Sequence, residues 1–446
     1  MKSSNPITRG ISRVPTLRRG CVIFTPVLGL IFLLVFCATP VFSLTEETRE
    51  NLAVFAEALG IVEENYVEPK DIKKLIYGAI KGMVGSLDSH SSFMAPEEFK
   101  ELQIETKGSF SGIGIEITLK DNLLIVVSPI EGTPAYRAGL QAGDRIIKID
   151  GQNTKNMSLL DAVRKIRGAK GSSVTLTIMR ENVEKPKTFT MVRAIIPIRS
   201  VRVRHFDDGF GYIRITNFQD KTDDDLKQAI KDLQSKFKPL RGLILDLRND
   251  PGGLLDQAIK VADEFLTSGL IVYTEGRNKA QTNRFYAQDS SSELEKTIPL
   301  VILINEGSAS ASEIVAGAMQ DRKRATLLGT KTFGKGSVQT IVPLEDGSAL
   351  RLTTAYYYTP SGRVINEKGI QPDLVVEMPA IPEGKTVKDL RQEALERRMK
   401  GEDIADKAWT VPISAGELER DPQLARAVLL LRQGSAAKVT EATKKP

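Results

Sequence analysis

The sequence has few of the residues that most often hold metals or crosslinks, with two histidines and two cysteines in 446 residues. Two histidines cannot build a His-rich metal centre, and Cys21 and Cys37 both lie in one apolar run near the start. Zinc-ribbon and disulfide-scaffold frameworks are therefore excluded. An excess of one charge sign is also missing from most of the chain. Much of the formal +6 resides in Lys2, Arg9, Arg13, Arg18 and Arg19, which precede every acidic residue. Beyond that head, 57 of the 62 Lys and Arg face 56 Asp and Glu. Without a general polyanion-binding field, nucleic acid drops out as a default partner. The 41% hydrophobic and 26% charged content is that of a folded chain, not a multispanning one. Its length suggests about three domains.

The basic head is followed by an apolar run from Cys21 to about Phe42. Spanning a bilayer takes about 20 residues, whereas signal-peptide apolar regions are usually about 7–15. Residues 1–43 are thus expected to be a signal peptide or an N-terminal membrane anchor. Small Ser43 after Val41 favours cleavage, and Phe36 before Cys37 disfavours lipid attachment. Either way the remainder is expected to be exported, to the periplasm or the outer face of the cytoplasmic membrane. Membrane contact is expected only through residues 21–42, if uncleaved.

Segment 44–105 carries helical spacing in Leu52, Phe55, Leu59, Val62 and Tyr66, then in Ile72, Leu75, Ile76, Ala79 and Met83. From about 106 to 193 the texture changes to short β-branched runs punctuated by glycine, interrupted by one strong helix over 158–167. From 194 to 378 it becomes α/β. Buried-type strands at 242–247 and 299–305 each lead through a glycine-containing turn into a helix, expected at 254–266 and 312–320. Glu345-Asp346-Gly347 predicts a hairpin between strands 338–344 and 349–358. The charged extension 379–446, with helical stretches at 387–399 and 421–432, reads as peripheral.

Within the β-rich segment, Gly132-Thr-Pro-Ala-Tyr-Arg-Ala-Gly-Leu-Gln-Ala-Gly-Asp-Arg-Ile-Ile-Lys-Ile-Asp-Gly151 resembles the PDZ family. Such a module needs an edge strand to which an extended peptide can add, and amides that hold its terminal carboxylate. By this resemblance Gly112, Ile113, Gly114 and Ile115 form the carboxylate loop. A helix carrying Leu159, Leu160, Val163 and Ile166 supplies the other wall. Arg167, at the end of that helix, either adds positive charge near a bound carboxylate or caps the helix C-terminus.

Gly329-Thr-Lys-Thr-Phe-Gly-Lys335 nearly spells a phosphate-binding loop, but Gly336 stands where Ser or Thr would hold magnesium and a strand follows instead of a helix. Nucleotide binding is disfavoured. His90 and His205 are read as surface or satisfied histidines, so a hydrolase here must use another base. Gly307-Ser-Ala-Ser-Ala-Ser312 lies between a strand and a helix start, where an open α/β sheet presents groups to a ligand. Unpaired N–H groups and the positive helix end could stabilise an oxyanion there. On that string alone, a Ser-rich loop that merely caps the helix is the favoured reading.

Three strings in combination, Gly307-Ser-Ala-Ser-Ala-Ser-Glu-Ile314, Phe333-Gly-Lys-Gly-Ser-Val-Gln339 and Leu247-Arg-Asn-Asp-Pro-Gly-Gly253, resemble the carboxyl-terminal processing peptidases, or tail-specific proteases. Leu87-Asp-Ser-His-Ser-Ser-Phe93 also resembles a family segment, with Ser89 where proline is usual. The resemblance implies a multidomain α+β protein with an α/β core of the ClpP/crotonase type, an inserted PDZ domain and helical terminal segments. Ser310 then matches the nucleophile, Lys335 the general base and Gln339 the residue that orients it. The N–H groups of Gly252 or Gly253 and of Ala311 match the oxyanion hole. The implied protein is an ATP-independent serine endopeptidase cutting proteins near their C-termini, with no cofactor and no metal. Protein or peptide C-termini are its expected partners, and an adaptor protein and homo-oligomer formation stay open. The reading from another class is a non-catalytic envelope scaffold that binds C-termini. Catalysis makes one physical demand: Lys335 must fall about three units below its ordinary value of about 10.4 to serve as a base at neutral pH. Lys331 could contribute by like-charge repulsion if it points inward.

Overall fold

The computed structural model describes residues 45–379 with breaks at 121, 182, 278–281 and 289–295, isolated positions between 386 and 397, and residues 412–442. The segment expected to direct export lies outside the described residues, as does most of the helix expected at 387–399. No described helix is long and apolar enough to cross a membrane.

The chain divides into two units, residues 1–76 and 77–446. The described part of the first holds a helix, Glu46–Asn65, started by Thr45, whose hydroxyl accepts the Thr48 N–H. Glu46 and Glu47 suit the positive end of the helix dipole. Its apolar positions follow the expected spacing, but none is buried, and Phe55 is 44% exposed. A second helix, Ile72–Gly85, begins in this unit and ends in the next.

In the larger unit, residues 109–197 contain the β-rich module. Its antiparallel sheet runs in the order Ile115–Lys120, Leu123–Pro129, Arg145–Ile149, Ser173–Met179, Lys187–Val192. Alternation along Ser173–Met179 sends Val174, Leu176 and Ile178 into a core closed by Ala162 and Ile166 of the helix Leu159–Ile166. A short helix, Pro134–Ala138, was not expected; proline at its start and left-handed Gly139 at its end delimit it.

The α/β core is a six-stranded sheet ordered Val201–His205, Phe210–Ile215, Gly242–Asp246, Leu300–Ile304, Thr326–Gly329, Leu374–Val375. All but the first pair are parallel. Leu243, Leu245, Ile302 and Ile304 face one layer of helices, including Leu255–Asp263 and Ala311–Asp321. Ile244, Val301, Leu303 and Leu328 face the other way, against Ile413, Leu424, Ala427, Val428 and Leu431. This corrects the expectation of a peripheral tail. The helix Pro422–Ala442 carries enough apolar residues on one side to cover the second face of a parallel sheet, which must be covered on both. The hairpin forms as expected, Ser337–Pro343 against Ala349–Tyr358, and joins a second sheet.

Candidate active site

The buried strand Leu300–Ile304 ends at Asn305, whose Oδ1 accepts the N–H groups of Gly307 and Asn249. Ser308 Oγ donates to Leu247 O. The ends of two adjacent strands are thereby sewn together directly beneath Ser310. Ser310 adopts φ 56°, ψ −112°, a conformation that costs a non-glycine residue about 1–3 kcal/mol. It projects the residue from a sharp turn at the start of Ala311–Asp321, whose first N–H groups lack intrahelical partners.

The loop 247–253 passes against this turn. At Gly252, φ is +98°, and a Cβ would stand 2.7 Å from Ala309 O, 2.8 Å from Ser310 Cβ and 2.9 Å from Ala311 N. Only glycine lets the backbone approach the serine so closely. The Gly252 N–H is already donated to Asp250 Oδ1 at 2.8 Å. Gly253 N–H has no partner among the described residues. Burial pushes the Asp250 carboxyl up to about 8, and its Oδ2 has no partner. Arg248 anchors the loop from behind, giving hydrogen bonds to Asp246 at 2.7–3.1 Å, to Asp421 at 2.8 and 2.9 Å and to Gln423 at 3.0 Å.

Lys335 arrives on the loop between Thr326–Gly329 and the hairpin. Thr330 N–H bonds Ile304 O, Thr332 N–H bonds Ile370 O and Phe333 N–H bonds Ser308 O. The residue that joins this loop to the serine is Glu313, fully buried one turn into the helix. Its Oε2 accepts the N–H groups of both Ser310 and Lys335, each at 2.8 Å. Its Oε1 accepts Thr332 Oγ1 at 2.6 Å and Gly334 N–H at 2.7 Å. Two main-chain positions 25 apart in sequence thus stand within two hydrogen-bond lengths of each other.

Lys335 is half-buried, and burial lowers its pKa, helped by repulsion from Arg351 and opposed by Glu313. The like-charge repulsion that Lys331 could have added by pointing inward comes from Arg351, and Lys331 is exposed. Gln339 faces Thr353 across the hairpin and donates through Nε2 to Thr353 Oγ1 at 2.9 Å and Ser337 Oγ at 3.1 Å. Its Oε1 is buried and free of protein partners. Neither histidine shares a hydrogen bond with Ser310: His205 packs against Phe237, and His90 N–H is held by Asp88.

In the β-rich module, Gly112, Ile113, Gly114, Ile115, Val163 and Arg167 line one groove of about 160 Å³ together with Phe110, Ile117 and Ile166. Leu160 does not line it and is 61% exposed. Ile115–Lys120 is an edge strand of its sheet. Arg167 is the helix C-cap, but its guanidinium is also committed to Glu101 at 2.5 Å and lies over the Phe110 ring at 4.9 Å.

Sequence reasoning missed Glu313, Asp250, Arg351 and Asn305. For Glu313 a signal was present, since Ser310 and Glu313 have capping-box spacing. Nothing local identified the others: Asp250 and Asn305 bond near neighbours, Gly252 and Gly307, but their burial and cross-links come from distant segments, and Arg351 reaches Lys335 from another strand. No group of three or more acidic, histidine or cysteine side chains suited to a metal ion occurs among the described residues.

Comparisons with known proteins match three segments. Residues 209–376 match the model of peptidase family S41, residues 125–180 a PDZ domain, and residues 42–98 the N-terminal domain of the activating protease CtpB. A carboxy-terminal-processing protease of Bartonella bacilliformis is 49% identical over 87% of this chain and 89% of its own. A carboxyl-terminal-processing protease of Synechocystis is 39% identical over 80% and 84%. Among solved structures, a photosystem II D1 C-terminal processing protease is 31% identical, covering 76% of this chain and 96% of that one, with a TM-score of 0.42.

Proposed function

The chain belongs to peptidase family S41 and is a serine protease carrying a PDZ domain; from that premise we propose an exported, ATP-independent endopeptidase with a Ser-Lys acyl-enzyme mechanism. The single observation that carries the mechanism is the shared grip of Glu313 Oε2 on the Ser310 and Lys335 amides. The bonds bring to one carboxylate oxygen the main chains of a strained serine at a helix start and of a lysine whose ammonium form is disfavoured by burial, which supports reading them as one site.

Ser310 Oγ attacks the scissile carbonyl carbon while its proton passes to the neutral Lys335 amine. The oxyanion that forms lies against the helix start, where the N–H groups of Ala311 and of the Gly252-Gly253 segment stabilise it. Gly253 is the better second donor, because Asp250 already holds the Gly252 amide. The intermediate collapses, Lys335 protonates the leaving amine, and a water deprotonated by Lys335 releases the acyl group. Gln339 is assigned to orient the lysine, and its Oε1, which has no protein partner in the structure, is the acceptor it has to offer. The groove beside Ile115 captures an apolar C-terminal tail by strand addition, so cleavage falls near that end. Export is supported by the basic head and apolar run, and places activity in the periplasm or on the outer face of the cytoplasmic membrane.

The test is digestion of an unstructured polypeptide with an apolar C-terminus by purified protein, without nucleotide and with a chelator present. Cleavage that disappears in both Ser310→Ala and Lys335→Ala is expected. A wild-type protein that binds the tail but cuts nothing would instead be the scaffold. Activity lost to the chelator and restored by zinc would replace the dyad with a metal centre.

A further inference from the structure

Asp250 grips both sides of the turn that carries Ser310. Its carbonyl oxygen accepts the Ala309 N–H at 2.9 Å and the Ser312 hydroxyl at 3.0 Å, holding the residue before the serine and the second one after it. Its side chain holds the opposing loop, where Oδ1 accepts the Gly252 N–H at 2.8 Å. Gly252 packs so tightly on the turn that a Cβ there would meet Ser310 Cβ at 2.8 Å and Ala311 N at 2.9 Å. The Asp250 carboxyl is thus bonded to the very residue that lies against the helix-start amide expected to receive the oxyanion.

Three carboxyl groups are fully buried around this turn, and the structure supports them unequally. Asp246 has the Arg248 guanidinium at 2.7–3.1 Å and the Tyr212 hydroxyl at 2.7 Å. Glu313 accepts four donors. The Asp250 side chain accepts one N–H, and its Oδ2 is buried without a partner among the described residues. The groups that face it offer little more. Arg214, on the strand Phe210–Ile215, donates to Arg248 O at 3.3 Å, and Arg248 divides its donors among Asp246, Asp421 and Gln423. Asp246 presents a like charge, and the Ser312 hydroxyl has given its hydrogen to the Asp250 carbonyl. A carboxylate enclosed with one donor and no counter-ion is strongly disfavoured, and taking up a proton relieves it. In keeping with this, burial pushes the carboxyl up to about 8, against the pull of Gly252, Ser312 and Arg214. The neutral acid still accepts the Gly252 N–H through its carbonyl oxygen.

We propose that Asp250 is a positioning residue of the peptidase that works as a neutral acid: it fixes the Gly252 peptide against Ser310 without setting a negative charge beside the oxyanion. This role rests on the Ser310 and Lys335 chemistry given above and adds an upper pH limit to it. Lys335 must lose its proton before the serine can be activated, whereas Asp250 must keep its own while the oxyanion forms. Ionised, the carboxyl would repel the oxyanion; like charges about 6 Å apart, screened as in a protein, repel enough to slow a reaction about 100-fold. The profile of kcat/KM against pH is then a bell whose alkaline side belongs to Asp250.

Asp250→Asn has the shape of the neutral acid, keeps an oxygen for the Gly252 amide and cannot ionise. The measurement is kcat/KM for a peptide amide from pH 7 to 9.5, with circular dichroism showing both proteins folded at each pH. In the ratio of variant to wild type, the Lys335 limb and any uniform effect of the substitution cancel. That ratio should rise at least about 10-fold across the range as the wild type ionises. A flat ratio overturns the proposal. Asp250→Ala, which frees the Gly252 amide, should lower kcat about 100-fold, and Asn should restore most of it; full turnover in the Ala variant also overturns the proposal. If the Ala variant does not fold, the pH ratio decides alone. Turnover that survives Lys335→Ala would unseat the dyad itself, whatever the two profiles show.

Discussion

The two loops that flank Ser310 are fixed by opposite means. Residues 247–253 are secured by a buried ion network, with Arg248 between Asp246 and Asp421, and by the enclosed Asp250 carboxyl, which accepts the Gly252 N–H. In the mechanism proposed above, residues 330–336 carry the charge that must be chemically active, and their restraint is mostly main-chain: three donors, Thr332 Oγ1 and the Gly334 and Lys335 amides, converge on Glu313, and backbone bonds run to Ser308 and Ile370. A loop that only presents amides can tolerate full ionic pairing. A loop that presents a base cannot, because a carboxylate paired with the Lys335 amine would hold it protonated. Glu313 resolves this by occupying its oxygens with N–H and O–H groups of the surrounding chain.

The sharpest test of this contrast is Glu313→Ala. It leaves four donors without their acceptor, and turnover should fall by at least about 100-fold as Ser310 and Lys335 lose their common reference. Single-turnover kinetics with a peptide ester would detect the loss in the acylation step. Glu313→Gln, which must present N–H₂ to some of these donors, should recover little of it.

Next in size is Arg248→Leu, which acts through stability. Asp246 would be left ionised and fully buried without its counter-charge, costing about 3–5 kcal/mol, visible as a lower denaturant midpoint. Asp421→Asn should cost much less, since Asp246 keeps its bidentate partner.

Arg351→Met should be milder. It removes a repulsion that lowers the Lys335 pKa, so that value rises and the acid limb of kcat/KM moves to higher pH. At neutral pH activity falls, while at alkaline pH it approaches that of the parent.

Asp250→Asn is read differently, as the slope of stability against pH. The folded carboxyl titrates near 8 and the unfolded one near about 3.9. Across that window the folded state holds a proton that the unfolded state has lost, so this group's contribution declines as pH rises. The Asn variant should lack that decline, and equal slopes for the two proteins would show that Asp250 is already ionised in the fold.

Much of the molecule is legible in the sequence because its signals are local. Gly307–Ser312 and Phe333–Gln339 mark their loops, Asp346-Gly347 marks the hairpin turn, and β-branched alternation marks the 173–179 strand. What is not legible depends on partners far along the chain: Arg351 near Lys335, Asp421 behind Arg248, and Thr353 between Ser91 and Gln339. Average composition also misled. The tail after residue 379 is charged overall, yet Leu424, Ala427, Val428 and Leu431 form a buried stripe on the sheet. The N-terminal helix shows the reverse, with a clear apolar period in Leu52, Phe55 and Val62 that nothing in its own unit covers. Periodicity identifies a face; it does not say what meets it.

The anchoring of Arg248 by Asp421 has a temporal side. A ribosome releases the arginine well before its acceptor, which follows 173 positions later. Until that helix docks, the loop over 247–253 lacks part of its foundation, so its final shape waits on a segment made long after it.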